Sequence, residues 1–84
     1  MDMTNLIGLV AGFLTTAAFV PQAARIWKTK SARDVSLPTY LSLSLGVALW
    51  LAYGILKGEP PIILWNAVTL LIASTIVAMK VRYG

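Results

Sequence analysis

The residues best suited to chemistry in this chain are Trp50 and Asn66. An indole offers a flat apolar face, and a carboxamide offers paired donor and acceptor positions. Side by side they suit a sugar: the ring stacks on the apolar C–H face of a pyranose, and the amide meets adjacent hydroxyls. A second reading needs no ligand, with Asn66 hydrogen-bonding a neighbouring helix and Trp50 only packing. Both readings place the two side chains at one depth. Trp50 lies six residues before Leu56 and Asn66 six residues after Pro60. On two antiparallel helices each side chain then sits about 9 Å inside the same end. An asparagine at that depth is costly without a hydrogen-bonding partner.

Other chemistry is scarce. The chain has no Cys and no His, which removes disulfides, thiolate chemistry, the commonest metal ligand and the commonest general base. Its charges fall at Asp2, Arg25, Lys28, Lys30, Arg33, Asp34, Lys57, Glu59, Lys80 and Arg82. An enzyme is not expected on this set, nor a metal or other cofactor. The sequence pI near 9.9 would suit nucleic acid, but membrane topology accounts better for the basic residues.

The elements that must carry these residues are set by the gaps between charges. Residues 3–24, 35–56 and 60–79 hold no charge, giving windows of 22, 22 and 20 residues. A hydrocarbon core about 30 Å thick takes roughly 20 helical residues to cross. With 58% hydrophobic and 12% charged residues, an 84-residue globule has too little interior for its apolar surface. Spanning β-strands would alternate in polarity, and these windows do not. The first window has no positively charged stretch before it and no soluble domain after it, so it is not expected to be a cleaved signal peptide. The pattern predicts an all-α membrane protein of three spans, over about 4–27, 36–57 and 60–81, in a single domain covering 1–84. No internal repeat or low-complexity segment interrupts it.

Orientation follows from the same charges. Arg25, Lys28, Lys30 and Arg33 lie in the first connection and Lys80 and Arg82 follow the third span, while Lys57 lies alone on the other side. Cytoplasmic loops collect Lys and Arg, which predicts the N-terminus outside and the C-terminus in the cytoplasm. Trp27, Tyr40 and Tyr83 then fall near the inner ends of the spans, and interfacial anchoring accounts for Trp27 and Tyr83.

Three features suggest moving or lining parts. Pro21 removes the hydrogen bond to the carbonyl of Ala17 and crowds it, so the first span should kink there, with Gln22 beside the kink. In the second span Gly46, Trp50, Tyr53 and Lys57 share one helical face that grows polar toward the outside, as a wet vestibule would require. Glu59 can meet Lys57 of a second copy and close the outer mouth; alternatively both are solvated loop charges worth little. Gly8 and Gly12 form a close-packing pair, with Thr15 and Thr16 next to it. No acidic or basic residue lies inside any window, which argues for downhill rather than ion-coupled transport.

Several segments together resemble the bacterial SemiSWEET sugar transporters of the PQ-loop superfamily. They are Phe19-Val20-Pro21-Gln22, the linker from Lys28 to Pro38, Leu45 to Gly54 with Trp50 inside it, and Trp65-Asn66-Ala67. The resemblance covers nearly the whole chain. It implies a bundle in which the third span packs between the first two, a parallel homodimer around a central route, and facilitated diffusion of mono- or disaccharides. It implies substrate contact by Trp50 and Asn66 and a hinge at Pro21-Gln22. It also implies an outer gate of Tyr53, Lys57 and Glu59, and an inner gate for which only Tyr40 and Leu43 supply bulk. Where relatives use Arg in the outer pair, Lys57 lacks the bidentate fork, so its grip should be looser. The expected location is the cell inner membrane, with lipid and a second copy as partners.

The dimer also has an independent argument. Three helices cannot enclose a sugar, and two copies with one charge bias insert in one direction, which puts their axis along the membrane normal. Two rival readings fit less well. A structural or holin-like assembly protein explains the size and hydrophobicity but not the matched depth of Trp50 and Asn66. A PQ-loop amino-acid transporter calls for a coupling carboxylate inside the membrane, and none is present.

Overall fold

Asp2 starts the first helix: its carboxylate accepts the Asn5 N–H at 2.8 Å, filling one of the donors a helix start leaves open. The computed structural model describes residues 2–84, which form four α-helices and no strand. These are α1 (Met3–Ala17), α2 (Val20–Thr29), α3 (Leu37–Lys57) and α4 (Pro60–Tyr83). The first two run on as one apolar stretch, Met3–Thr29, so three stretches are long and apolar enough to cross a bilayer.

The break between α1 and α2 falls at Ala18 and Phe19, one turn ahead of Pro21. The proline withholds its N–H and its ring crowds the preceding turn. The chain responds by tightening: Phe19 N–H bonds Thr16 O at 3.1 Å, an i−3 bond, before Ala23 N–H resumes the regular pattern to Phe19 O at 3.1 Å. Pro21 itself sits in the first turn of α2, where a missing N–H is harmless.

Ser36 caps α3, accepting the Thr39 N–H at 3.3 Å, and Pro38 occupies its first turn. At the other end Gly58 takes the left-handed conformation (φ 66°), and Glu59 N–H reaches back to Gly54 O at 3.0 Å. This tight end turns the chain straight into Pro60 and Pro61 of α4. Gly54 lets the hairpin close, since a Cβ there would stand 2.6 Å from Ile62 Cγ2.

α4 is the middle helix. It packs against α1, α2 and α3, whereas α1 and α3 do not approach each other. α1 and α4 run parallel in a fixed register. Gly8 faces Pro61, Gly12 faces Trp65, and Thr16 bonds Thr69, each pair 53 residues apart. The small residues of α1 thus receive the larger ones of α4 turn by turn. The buried core lies at the end bearing the basic residues and comprises Ile26, Ala32, Val35, Tyr40, Ala73, Ile76 and Met79. The whole is a slab with extents of 42 × 21 × 14 Å, one helix thick.

Candidate functional site

Because α1 and α3 diverge above the core, a cleft of about 340 Å³ opens between them, with α4 as its floor. It runs from Gly8 and Pro61 at one end to Phe19 and Leu43 at the other, and Asn66 lines it. Asn66 donates through Nδ2 to Ile62 O at 2.9 Å, a bond within its own helix. Among the described residues its Oδ1 has no hydrogen-bond partner, so the half-buried amide joins no two helices of this chain and keeps an acceptor for something in the cleft.

The cleft wall holds more polar groups than spacing suggested. Thr16 and Thr69 share a buried 2.7 Å hydrogen bond between α1 and α4. Trp65 stands edge-on to Phe13, with centroids 5.8 Å apart, and presses on Gly12; its Nε1 is buried without a partner. From the sequence, Thr16 and the glycines stood out only for packing, Trp65 only as part of the Trp65-Asn66-Ala67 resemblance, and Thr69 not at all. Their common spacing of four, Gly8-Gly12-Thr16 against Pro61-Trp65-Thr69, is the signal that would have found them.

Trp50 is not in this cleft. It lies on the open face of α3, 57% exposed, in a groove formed with Gly46, Leu49 and Tyr53. Its ring meets Tyr53 edge-on at 5.5 Å. Gly46 has free space where a Cβ would stand, so this face has no neighbour inside the chain. One chain therefore does not bring Trp50 and Asn66 into one pocket. Lys57 and Glu59 are both exposed where α3 turns into α4, at the end away from the basic cluster, and do not pair with each other; the one ion pair among the described residues is Arg25–Asp34, at 3.3 Å.

The end that carries the basic residues is better filled than expected. Tyr40 is buried, its hydroxyl donates to Gln22 Oε1, and its ring meets Phe19 edge-on at 6.3 Å. Leu43 packs against the same cluster. The bulk that Tyr40 and Leu43 alone seemed to lack is supplied by Phe19, brought in by the break ahead of Pro21.

Residues 2–83 match the family model described as "Sugar efflux transporter for intercellular exchange". The sugar transporter SemiSWEET of Bradyrhizobium diazoefficiens is 51% identical over 82 residues, covering 98% of this chain and 95% of that one. The chain belongs to the SemiSWEET family. A crystal structure of a bacterial homologue of SWEET transporters superposes with a TM-score of 0.94 at 51% identity, covering 99% of this chain and all of that one. A SemiSWEET in the inward-open conformation superposes at 0.87 with 34% identity, covering 96% and 87%. The SemiSWEET chain is thus a multi-pass membrane protein of a family of transporters rather than enzymes, and its third span lies between the first two.

At the basic end of this SemiSWEET chain the cations are held differently from one another. Arg25 pairs with Asp34, and Lys80 Nζ donates to Ala32 O at 3.1 Å, which pins the linker to α4. Lys30 instead lies over the Trp27 ring, 3.7 Å from its centroid.

Proposed function

We propose that two copies of this chain, paired in parallel about an axis along the membrane normal, carry mono- or disaccharides passively in either direction by alternating access. The observation that carries this reading is the slab itself. At 14 Å thick it leaves the Asn66 cleft open on the side away from α4 and leaves Trp50 on a bare face. A second copy would cover both and bring indoles and amides around one route. The ring would stack on the sugar's C–H face, and Asn66 Oδ1 would accept from a hydroxyl.

Tyr53, Lys57 and Glu59 form the outer gate in this reading. Among the described residues Lys57 and Glu59 have no ionic partner, so a cross-axis pair is open to them. Tyr40 and Leu43, with Phe19, close the inner end. Pro21 and Gln22 supply the hinge by which α2 swings relative to α1. The absence of charge from the three windows leaves nothing at depth to couple the motion to protons or sodium. The basic end faces the cytoplasm across the cell inner membrane, with the N-terminus outside.

Counterflow of a panel of radiolabelled sugars into proteoliposomes, with no pH or sodium gradient, tests the reading. Accumulation of one labelled sugar against its unlabelled pool is expected. Exchange of amino acids instead, or no exchange of any solute, would replace it with the amino-acid transporter or the assembly protein.

A further inference from the structure

The end of the bundle that carries six of the seven basic residues contains one arrangement that charge bias does not require. Topology depends on how many Lys and Arg flank the spans, not on where each side chain points. Lys30 is nevertheless held in place. It ends α2 in the left-handed conformation, φ 55°, where glycine is usual and a lysine is uncommon. It is the only residue other than glycine with positive φ among those described.

That backbone sets the Lys30 ammonium 3.7 Å above the Trp27 ring and 5.6 Å from the Tyr83 ring. Arg82 approaches the same tyrosine ring at 5.5 Å. Two cations from different helices thus approach one tyrosine ring. Neither has a carboxylate or carbonyl acceptor among the described residues, and the one acid nearby, Asp34, is engaged by Arg25. Like charges brought together without an acceptor are unfavourable unless an anion joins them. Trp27 is 63% exposed and stands, with Tyr83, at the ends of two membrane spans, the level at which aromatic rings meet headgroups.

We propose that Trp27, Lys30, Arg82 and Tyr83 form a binding site for the phosphate of an anionic phospholipid. The ammonium and guanidinium take the phosphate oxygens, and the two rings hold the cations and seat the glycerol region. Zwitterionic lipids bind more weakly, because their phosphate already has a cation of its own. The site goes beyond transport and needs only that this end lie at the membrane surface.

The test is native mass spectrometry of the purified protein in neutral detergent, titrated with phosphatidylglycerol or phosphatidylcholine. Phosphatidylglycerol should bind preferentially. Lys30→Gly should weaken its binding about five-fold, the factor equivalent to roughly 1 kcal/mol for a basic residue at a membrane surface. Trp27→Leu should weaken it about two- to five-fold, as loss of a cation–π contact does. In lipid-free detergent Lys30→Gly should melt no lower than the native chain, because glycine relieves the left-handed backbone. Unchanged phosphatidylglycerol binding in Lys30→Gly overturns the proposal, as does equal binding of phosphatidylcholine. A lower melting temperature for that variant would make Lys30 a structural residue and overturn it too. Displacement of the lipid by millimolar inorganic phosphate would reassign the site to small soluble anions.

Discussion

The Tyr40 hydroxyl donates to the Gln22 carboxamide oxygen, which ties the start of α3 to the start of α2. The backbones of those two helices do not come together, so side chains join them: this bond, the edge contact of Tyr40 with Phe19 at the cap of α2, and the buried cluster that holds Ile26 and Tyr40. In the proposed cycle α2 must leave α3 for the inner end to open. Tyr40→Phe keeps the ring and drops the bond. A hydrogen bond nets about 1 kcal/mol, so inner-open forms should gain roughly five-fold. The chain lacks Cys, so spin labels can be placed on introduced cysteines alone. Unaltered inner-end distances in Tyr40→Phe would reduce the bond to a bystander.

The register between α1 and α4 makes a second prediction. A Cβ at Gly12 would collide with the Trp65 ring, whereas one at Gly46 meets nothing within 4 Å. Gly12→Ala should lower stability by about 1–3 kcal/mol, the usual cost of overpacking. Gly46→Ala should leave the single chain's fold unharmed and act only on what covers that face. Thermal unfolding in detergent, read beside the dimer fraction, separates the two. Equal melting temperatures would contradict the register.

Much of this architecture was legible because the bilayer imposes a length on its helices. The gaps between Arg25, Asp34, Lys57, Glu59 and Lys80 mark the spans directly. Depth along a helix was legible too, but azimuth was not. Trp50 and Asn66 were matched by counting from Leu56 and Pro60, and counting cannot say that Trp50 faces away from the Asn66 cleft. The pairing of Thr16 with Thr69 was illegible for a related reason. Each is unremarkable in its own helix, and only the 53-residue offset fixed by Gly8–Pro61 and Gly12–Trp65 brings them together. Phe19 became visible as inner bulk only once the break ahead of Pro21 was placed.

The proposed substrate contacts predict a particular pattern of loss. Trp50 is more than half exposed, so Trp50→Ala leaves no cavity in the fold. It should abolish counterflow while the dimer survives in detergent. Asn66→Ala should also stop flux, since Oδ1 has no competing role inside the chain. Unfolding or monomerisation of Trp50→Ala would return it to the packing reading, and normal flux in Asn66→Ala would move the site elsewhere.

The outer gate makes an ionic prediction. Lys57 and Glu59 have no ionic partner among the described residues, so the proposed pairing between them crosses the axis. An exposed pair contributes at most about 1 kcal/mol. Glu59→Ala should therefore move the population toward outward-open forms by a few-fold rather than lock it there. Distances between labels on the outer loops of the two copies report the shift, and their constancy would remove Glu59 from the gate.

The hinge prediction joins the fold to the mechanism. Alternating access needs an element with two arrangements separated by a few kcal/mol. The segment from Ala18 to Pro21 is suited to this, because the Ala17 carbonyl receives no bond from Pro21 and the tightened Phe19–Thr16 bond already departs from helical geometry. Pro21→Ala restores the missing donor, which should straighten α1 into α2 and slow exchange between inner-open and inner-closed forms. Sugar affinity should hold, because Pro21 does not line the Asn66 cleft. The expected signature is a lower counterflow rate with an unchanged half-saturating concentration, at equal rates with and without an imposed pH gradient. A strict requirement for the gradient would falsify passive transport, since the windows between charges hold no group to use it. A Pro21→Ala rate equal to that of the native chain would instead spare passive transport and remove the hinge from this turn.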